Sequence, residues 1–195
     1  EFLNGKKKWC LWLENFIPSE IAKSHEILKR LSSIKKLREN STREATKKLA
    51  LFPNQFGENR QPKSDYIFIP LTSSENRRII PMAIFNKNYI ANNTGSVIAN
   101  STLYHLGILQ SSMHMAWVNV VCGRLKGDYR YSNEIVYNNF PWPENITDKS
   151  IKSIEIAIQK VLDIREKYNN NSLSDLYNTL TMPPSLIKAH QELDK

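Results

Sequence analysis

The sequence contains few of the residues that build disulfide frameworks, metal centres and nucleotide-binding loops. Its two cysteines, Cys10 and Cys122, lie far apart without metal-ligand spacing, so we expect reduced thiols in a cytoplasmic protein. Its four histidines include no i,i+4 pair, and its six glycines form neither a dinucleotide-binding fingerprint nor a phosphate-binding loop. We therefore expect no metal site and no cofactor site in this chain.

Long hydrophobic runs are also missing. No run approaches the roughly 18 residues that a membrane span requires, so we expect no membrane partner. The first residues, Glu1-Phe2-Leu3, resemble neither a signal peptide nor a natural start, which suggests a fragment of a longer protein. Hydrophobic residues make up 41% and charged residues 24% of the 195 positions. This composition is typical of a folded soluble protein. The length fits one globular domain, or one domain with a helical flank, and excludes a large multidomain enzyme.

Positive charge is concentrated in the first third of the chain. The net charge is +8, and residues 1–64 contain 14 basic and 7 acidic side chains, against 6 and 5 in residues 65–144 and 7 and 7 in residues 145–195. Such basic clusters could neutralise phosphates. The alternative is a lysine-rich helix whose outer face is merely solvated. Four basic residues are candidate contacts to a nucleic-acid backbone: Lys35, Lys36, Arg78 and Arg124.

Hydrophobic periodicity predicts an α+β fold, in which a small mixed or antiparallel β-sheet packs with long amphipathic helices and a helical C-terminal segment follows. We expect a basic strand-helix lead-in over 1–64, a β-rich core with a long helix over 65–144, and the helical segment over 145–195. The pattern predicts strands at 8–13, 66–69, 79–85, a short run ending at 90, and 128–137. It predicts helices at 18–39, 42–51 and 102–121, and helices starting near 148 and 183.

Two polar clusters have the side chains that recognise bases. One lies between predicted strands and supplies Ser73, Ser74, Glu75 and Arg77, and the other supplies Asn92 and Asn93. Arginine suits guanine O6 and N7, asparagine suits adenine N6 and N7, and a carboxylate accepts from cytosine N4. The alternative for both clusters is ordinary turn chemistry, in which serine and asparagine side chains bond nearby backbone.

A third cluster has mixed charge. Lys126, Asp128 and Arg130 occupy alternate positions, so an extended chain would project all three to one face, with Tyr129 and Tyr131 on the other. Lysine and arginine could donate to guanine or phosphate, and the aspartate could accept from cytosine. A surface ladder of ion pairs is the alternative.

The motifs of catalysis are absent or misplaced. The segment Asn139-Phe140-Pro141-Trp142 superficially resembles the Asn-Pro-Pro-aromatic motif of amino-methyltransferases, but its prolines are wrongly placed. A structural turn with two buried aromatic side chains explains it better. No acidic pair is followed by a convincing nuclease lysine, so we expect no catalytic residues here.

The order of several phrases carries a family resemblance over nearly the whole chain. They are KWCLWL at 8–13, FGENRQP at 56–62, SSENRR at 73–78, LYHLGIL at 103–109, MHMAW at 113–117, CGRL at 122–125, YRYS at 129–132, YNNFPWP at 137–143, TMPP at 181–184 and KAH at 188–190. In these phrases the chain resembles the C-terminal part of MmeI-like restriction–modification enzymes, also called type IIL or IIG.

The resemblance implies a target recognition domain that binds double-stranded DNA, followed by a C-terminal helical segment. It places specificity residues around 73–78, at Asn92 and Asn93, and at Lys126, Asp128 and Arg130. The parent protein would be a site-specific adenine-N6 DNA methyltransferase that uses S-adenosylmethionine, with magnesium where a nuclease is fused. Catalysis would lie in the methyltransferase domain of the same parent chain, which is the expected protein partner.

Two other functions remain open at this point. A scaffold that binds nucleic acid without sequence preference would also need the basic lead-in. A catalytic nuclease fragment would need a set of metal-binding carboxylates, and the sequence offers no persuasive one.

Overall fold

The computed structural model describes residues 2–195. These form two compact units: a smaller one, Lys8–Arg60, and a larger one that combines residues 2–7 with Gln61–Lys195. Helix accounts for 43% and strand for 11% of the structure, and the strands form small antiparallel sheets, which confirms the predicted α+β class. The helices are α1 Pro18–Ile21, α2 His25–Glu39, α3 Glu44–Lys48, α4 Leu103–Leu109, α5 Ser112–Val121, α6 Asp148–Lys167, α7 Leu173–Leu176 and α8 Pro184–Leu193. The strands are β1 Tyr66–Pro70, β2 Thr72–Ser73, β3 Ala83–Phe85, β4 Gly95–Ala99, β5 Gly123–Leu125 and β6 Asp128–Arg130.

Two three-stranded antiparallel sheets meet in the larger unit. The first has the order β3-β1-β4 and the second β2-β6-β5. Leu71 joins them, because its N–H donates to the carbonyl of Thr94 at 3.0 Å while its own carbonyl accepts from the N–H of Tyr131 at 2.9 Å. The chain thus passes from β1 into β2 through one residue, and the turn that precedes β4 is brought beside β2 and β6.

In the smaller unit, Arg38 bonds helix α2 to the segment that follows α3. Helix α2 buries no side chain fully. Instead, Arg38 donates from Nη1 to the carbonyls of Leu49 and Phe52, at 2.8 and 2.9 Å, and from Nη2 to that of Gln55 at 2.8 Å. The carbonyls of Leu49 and Phe52 also accept from the N–H groups of Phe52 and Gln55, both at 3.1 Å, so Arg38 adds a second donor to each of them. The arginine bonds fasten the loop to the end of α2.

The strand predicted at 8–13 is wrong. The segment forms no strand, and Trp9 is 95% exposed while Leu13 is buried. A short apolar run becomes a strand only when another strand pairs with it, and no partner strand is present among residues 8–60. The shape of the apolar pattern alone could not supply that information.

Serine caps divide two helices that periodicity predicted to be continuous. Ser24 begins α2, with its hydroxyl accepting from the N–H of Ile27 at 3.4 Å, so the helix predicted at 18–39 is two helices. Ser111 begins α5, with its hydroxyl accepting from the N–H of His114 at 3.2 Å, which divides the helix predicted at 102–121. A local cap can start a new helix within a continuous apolar stripe.

Strand lengths also differ from prediction. Only Ala83–Phe85 of the run at 79–85 pairs as a strand, and the run ending at 90 does not. The strand predicted at 128–137 ends at Arg130, and Asn133–Tyr137 forms a π-helical turn. The prediction missed β4, because its polar start resembles a turn. In contrast, α6 begins at Asp148 and α8 at Pro184, close to the starts predicted near 148 and 183.

Gly107 allows close packing of α4 on α6. A Cβ at this position would lie 2.4 Å from Cγ2 of Ile154. We expect Gly107→Ala to lower the free energy of unfolding by about 1–3 kcal/mol through overpacking, despite the helix propensity of alanine. Urea unfolding of Gly107→Ala, Ile154→Ala and the double variant tests this, and the double variant should lose less than the sum of the two. Strict additivity would show that the contact is not the cause.

A charged side chain lies inside the core of the larger unit. Arg165 of α6 is 8% exposed. Its Nη1 donates to the carbonyl of Met82 at 2.7 Å, its Nε donates to Oη of Tyr177 at 2.6 Å, and its Nη2 donates to Oε1 of Gln110. Oη of Tyr177 also bonds Nε2 of His190 at 2.8 Å. This network ties α6 to the end of α4, to the segment before β3 and to the C-terminal helices.

Two buried histidines are expected to make folding sensitive to acid. Burial and the charge of Arg165 lower the pKa of His190 to about 3, and burial lowers that of His114 to about 4, from an ordinary value of 6.5. Below pH 6.5 the unfolded chain therefore binds protons that the folded chain does not. Stability should fall between pH 6.5 and 4, by up to about 1.4 kcal/mol per pH unit for each histidine.

Urea unfolding at pH 7 and pH 5 measures this dependence. The double variant His114→Gln/His190→Gln should be less stable at pH 7 and should lose less stability on acidification than the wild-type chain. An equal loss in both proteins would assign the acid sensitivity to other groups.

Candidate nucleic-acid interface

A cleft of about 530 Å³ lies where the two sheets of the larger unit meet. Its walls come from the start of β2 and the turn after it, the turn before β4, and β6. Six of the nine residues predicted to contact bases line it: Ser73, Ser74, Arg77, Asn93, Asp128 and Arg130. The fold thus brings together side chains from all three polar clusters, which are separated by up to about 57 positions in the sequence.

Strand β6 presents Asp128 and Arg130 to the cleft. The intervening Tyr129 is 4% exposed and points into the core, as period-2 alternation predicts. Nη1 of Arg130 donates to Oγ1 of Thr72 at 3.1 Å, across the pair that joins β2 to β6. Oδ1 of Asp128 accepts from the N–H of Glu75 at 3.3 Å. Each charged group is therefore oriented by one bond to the neighbouring segment.

Lys126 does not share this strand. Lys126 has φ +53° and Gly127 has φ +94°, and together they form the two-residue turn between β5 and β6. Positive φ at both central residues is the signature of a type I′ hairpin. The prediction of three side chains on one strand face is therefore wrong for Lys126, which is exposed at the hairpin tip.

Arg77 is half-buried and bonded on two sides. Its Nη1 donates to Oγ of Ser73 at 3.2 Å and its Nη2 donates to Oγ of Ser174 at 2.9 Å. Burial lowers the pKa of Arg77, and the negative charge of Asp128 opposes part of that shift. Ser73 is itself 2% exposed. Both hydroxyl groups are thus engaged with the arginine.

The turn before β4 divides its two asparagines between different environments. Oδ1 of Asn92 accepts from the N–H of Thr94 at 3.1 Å, which is the side-chain bond that stabilises such turns. Asn93 is exposed and lines the cleft. Glu75 is exposed. Its carboxylate lies beside the hairpin, since a Cβ on Gly127 would lie 3.0 Å from Oε2 of Glu75.

The four candidate backbone contacts have different surroundings. Arg78 is exposed at the end of the 74–77 turn. The guanidinium of Arg124 lies 3.9 Å above the ring of Tyr129 and donates to the carbonyl of Gly127 at 3.2 Å, so it stabilises the hairpin. Lys35 and Lys36 are exposed on α2 of the smaller unit.

Comparison with known proteins decides the family. A family model described as the MmeI target recognition domain matches residues 1–144, and one described as the MmeI C-terminal domain matches residues 146–195. The chain belongs to the MmeI family. The resemblance noted in the sequence is thereby confirmed.

Two relatives of this MmeI-family chain are much longer than it is. DNA methyltransferase A of Bacillus subtilis (strain 168) is 44% identical over 194 residues, which is 100% of this chain and 22% of the relative. A solved structure of the type IIL restriction-modification enzyme MmeI in complex with DNA is 41% identical, with a TM-score of 0.93 over 99% of this chain and 26% of that one. The chain spans about a quarter of the length of these relatives.

The MmeI C-terminal segment contributes to the cleft, which the sequence did not predict. Ser174 of α7 lines it together with residues 2–4 of the N-terminus. The N–H of Ser174 donates to the carbonyl of Leu3 at 2.7 Å. Nothing in the local sequence around Ser174 distinguishes it from other serines, since its position depends on contacts with distant segments.

In this MmeI-family chain the segment 139–142 is structural. Nδ2 of Asn139 donates to the carbonyls of Glu134 and Ile135, at 2.6 and 3.1 Å, and thereby closes the π-helical turn. Phe140 is buried and packs edge to face against Trp142, with the two ring centroids 5.5 Å apart. Among residues 2–195, no cluster of three or more His, Cys, Asp or Glu is arranged to hold a metal ion. No helix in the described part of the chain could cross a membrane.

Proposed function

We propose that this chain recognises a short sequence in double-stranded DNA and positions a methyltransferase domain of the same parent protein. The observation that carries this proposal is the convergence of Asn93, Asp128 and Arg130 in one cleft. These side chains come from two of the polar clusters that suit base recognition. The proposal is supported by membership of the MmeI target recognition family and by the likeness to MmeI solved in complex with DNA.

The cleft has the donor and acceptor groups that distinguish base pairs. The carboxylate of Asp128 can accept from cytosine N4, the guanidinium of Arg130 can donate to guanine O6 and N7, and the amide of Asn93 can pair with adenine N6 and N7. Each good contact contributes about 1–3 kcal/mol of discrimination. We assign Glu75 and Ser74, in the turn after β2, to base recognition beside Asp128. We assign Lys126, at the exposed hairpin tip, to a phosphate contact.

The parent protein is proposed to be a cytoplasmic DNA methyltransferase that acts on adenine N6. We assign the cofactor S-adenosylmethionine and the catalytic residues to the methyltransferase domain, because the six glycines of this chain form neither a dinucleotide-binding fingerprint nor a phosphate-binding loop. Magnesium would be needed only where the parent also contains a nuclease.

Selection from a randomised duplex pool tests the proposed recognition. The purified 195-residue chain should enrich a short asymmetric motif at moderate salt. Salt-sensitive binding without enrichment would favour the nonspecific scaffold instead. Magnesium-dependent cleavage of a supercoiled plasmid by this chain alone would favour a nuclease fragment.

The two lysines of α2 are expected to act on all sequences alike. Lys35→Ala/Lys36→Ala should weaken binding to every duplex, and it should reduce the slope of log K against log salt by about 1.8, since each phosphate contact contributes about 0.9. Fluorescence anisotropy across a salt series measures the slope. Lys149→Ala/Lys152→Ala is the matched control, because it removes two exposed lysines from α6 in the charge-balanced segment. Equal slopes for the two double variants would contradict the assignment.

A further inference from the structure

Ser174 connects three segments that are distant in sequence. Its N–H donates to the carbonyl of Leu3 and its hydroxyl accepts from Nη2 of Arg77, at 2.7 and 2.9 Å. Its own position is fixed by the core, because Leu176 and Tyr177 at the end of α7 are 3% and 2% exposed. Ser174 is thus a rigid anchor at the wall of the cleft.

Arg77 connects Ser174 to the residues of the cleft. Its guanidinium bridges two hydroxyl groups, Ser73 on β2 and Ser174 on α7, and its charge is partly balanced by Asp128. The negative charge of Asp128 offsets part of the lowering of the Arg77 pKa that burial causes, so the aspartate favours the charged guanidinium.

The backbone of the 74–77 turn couples Arg77 to Asp128. The N–H of Arg77 donates to the carbonyl of Ser74 at 3.2 Å and closes the 74–77 turn. The N–H of Glu75 within that turn donates to Oδ1 of Asp128. A displacement of Arg77 would therefore also displace the donor that orients the Asp128 carboxylate.

We propose that Arg77 and Ser174 form a positioning pair through which the C-terminal segment fixes the orientation of Asp128 for base recognition. This inference rests on the proposed function of the cleft. It changes the expected role of Arg77 from a base contact to a positioning residue. It also gives the C-terminal segment, which the sequence presented only as a helical flank, a part in sequence discrimination.

A double-mutant cycle with Ser174→Ala tests the pair. Asp128→Asn first identifies the base pair whose recognition depends on Asp128. The quantity then measured is a discrimination ratio: the Kd for a duplex altered at that base pair is divided by the Kd for the enriched duplex. Ser174→Ala should lower this ratio by about three- to tenfold, with affinity for an unrelated duplex unchanged. In an Asp128→Asn background, Ser174→Ala should cause no further loss.

Three further variants separate positioning from general destabilisation. Ser174→Thr retains the hydroxyl and should restore the ratio. Arg77→Lys retains the charge but cannot bridge both hydroxyl groups, so it should lose discrimination at the same base pair. Ser153→Ala, an exposed serine on α6, should behave as the wild-type chain.

The inference is overturned if Ser174→Ala leaves the ratio unchanged, lowers it by the same factor in the Asp128→Asn background, or alters preference at all base pairs equally. Failure of the proposed function itself is visible earlier and separately, since the wild-type chain would then show no preferred duplex against which any ratio could be measured.

Discussion

Arg165→Leu should lower the free energy of unfolding by about 3–5 kcal/mol, the largest loss of stability that we expect from one substitution. The guanidinium is almost fully buried and donates to Met82, Gln110 and Tyr177. Removing it leaves the Met82 carbonyl and Oε1 of Gln110 without this donor in the core, while Tyr177 keeps its bond to His190. Each buried acceptor left unpaired costs about 1–3 kcal/mol. Leucine cannot supply a hydrogen bond, so the apolar contacts that it gains offset only part of this loss.

Urea unfolding of the 195-residue chain at pH 7 measures the effect. Lys149→Leu makes the same class of change at an exposed position of the same helix and should alter stability by less than about 0.5 kcal/mol. If Arg165→Leu unfolds at the same midpoint urea concentration as the wild-type chain, with the same dependence of the unfolding free energy on urea, the network does not stabilise the fold.

Asp128→Asn should reduce discrimination at one base pair of the enriched motif by about 10- to 100-fold. Asparagine keeps the shape of aspartate but replaces one acceptor oxygen with a donor amide, which reverses part of the pattern presented to a base edge. Its orientation would be retained through the N–H of Glu75, which can still bond the amide oxygen. Competition titration with duplexes that differ only at that base pair measures the loss.

Lys126→Met is the matched comparison on the same hairpin. Lys126 lies at the exposed turn rather than in the cleft, so its loss should weaken binding to all duplexes by similar factors. If Asp128→Asn also weakened every duplex equally, the aspartate would act on general affinity or folding and not on base recognition.

The sequence predicted which residues line the cleft better than it predicted how their side chains are arranged. Alternation at Asp128 and Arg130 correctly placed both on one face of β6. It failed at Lys126, where the following Gly127 permits a type I′ turn. The Lys-Gly pair between two short runs was the available signal, since a two-residue loop ending in glycine favours a hairpin.

Long-range partners explain the other differences. Serine caps at Ser24 and Ser111 could in principle be found from the sequence, because serine followed by a helical pattern is a start signal. The pairing of Leu71 with both sheets and the bond from Arg77 to Ser174 could not, since each depends on segments that only the complete fold brings together. The partners of Arg165 also come from distant segments, so the sequence analysis did not single out this residue.

The most direct test of the account is one selection experiment on a random duplex pool with three proteins: the wild-type chain, Asp128→Asn and Lys126→Met. We predict a short asymmetric motif for the wild-type chain, the same motif with preference changed at one position for Asp128→Asn, and the unchanged motif with weaker binding for Lys126→Met. No motif for the wild-type chain, or equal flattening of every position in both variants, would contradict the claim that this cleft recognises bases.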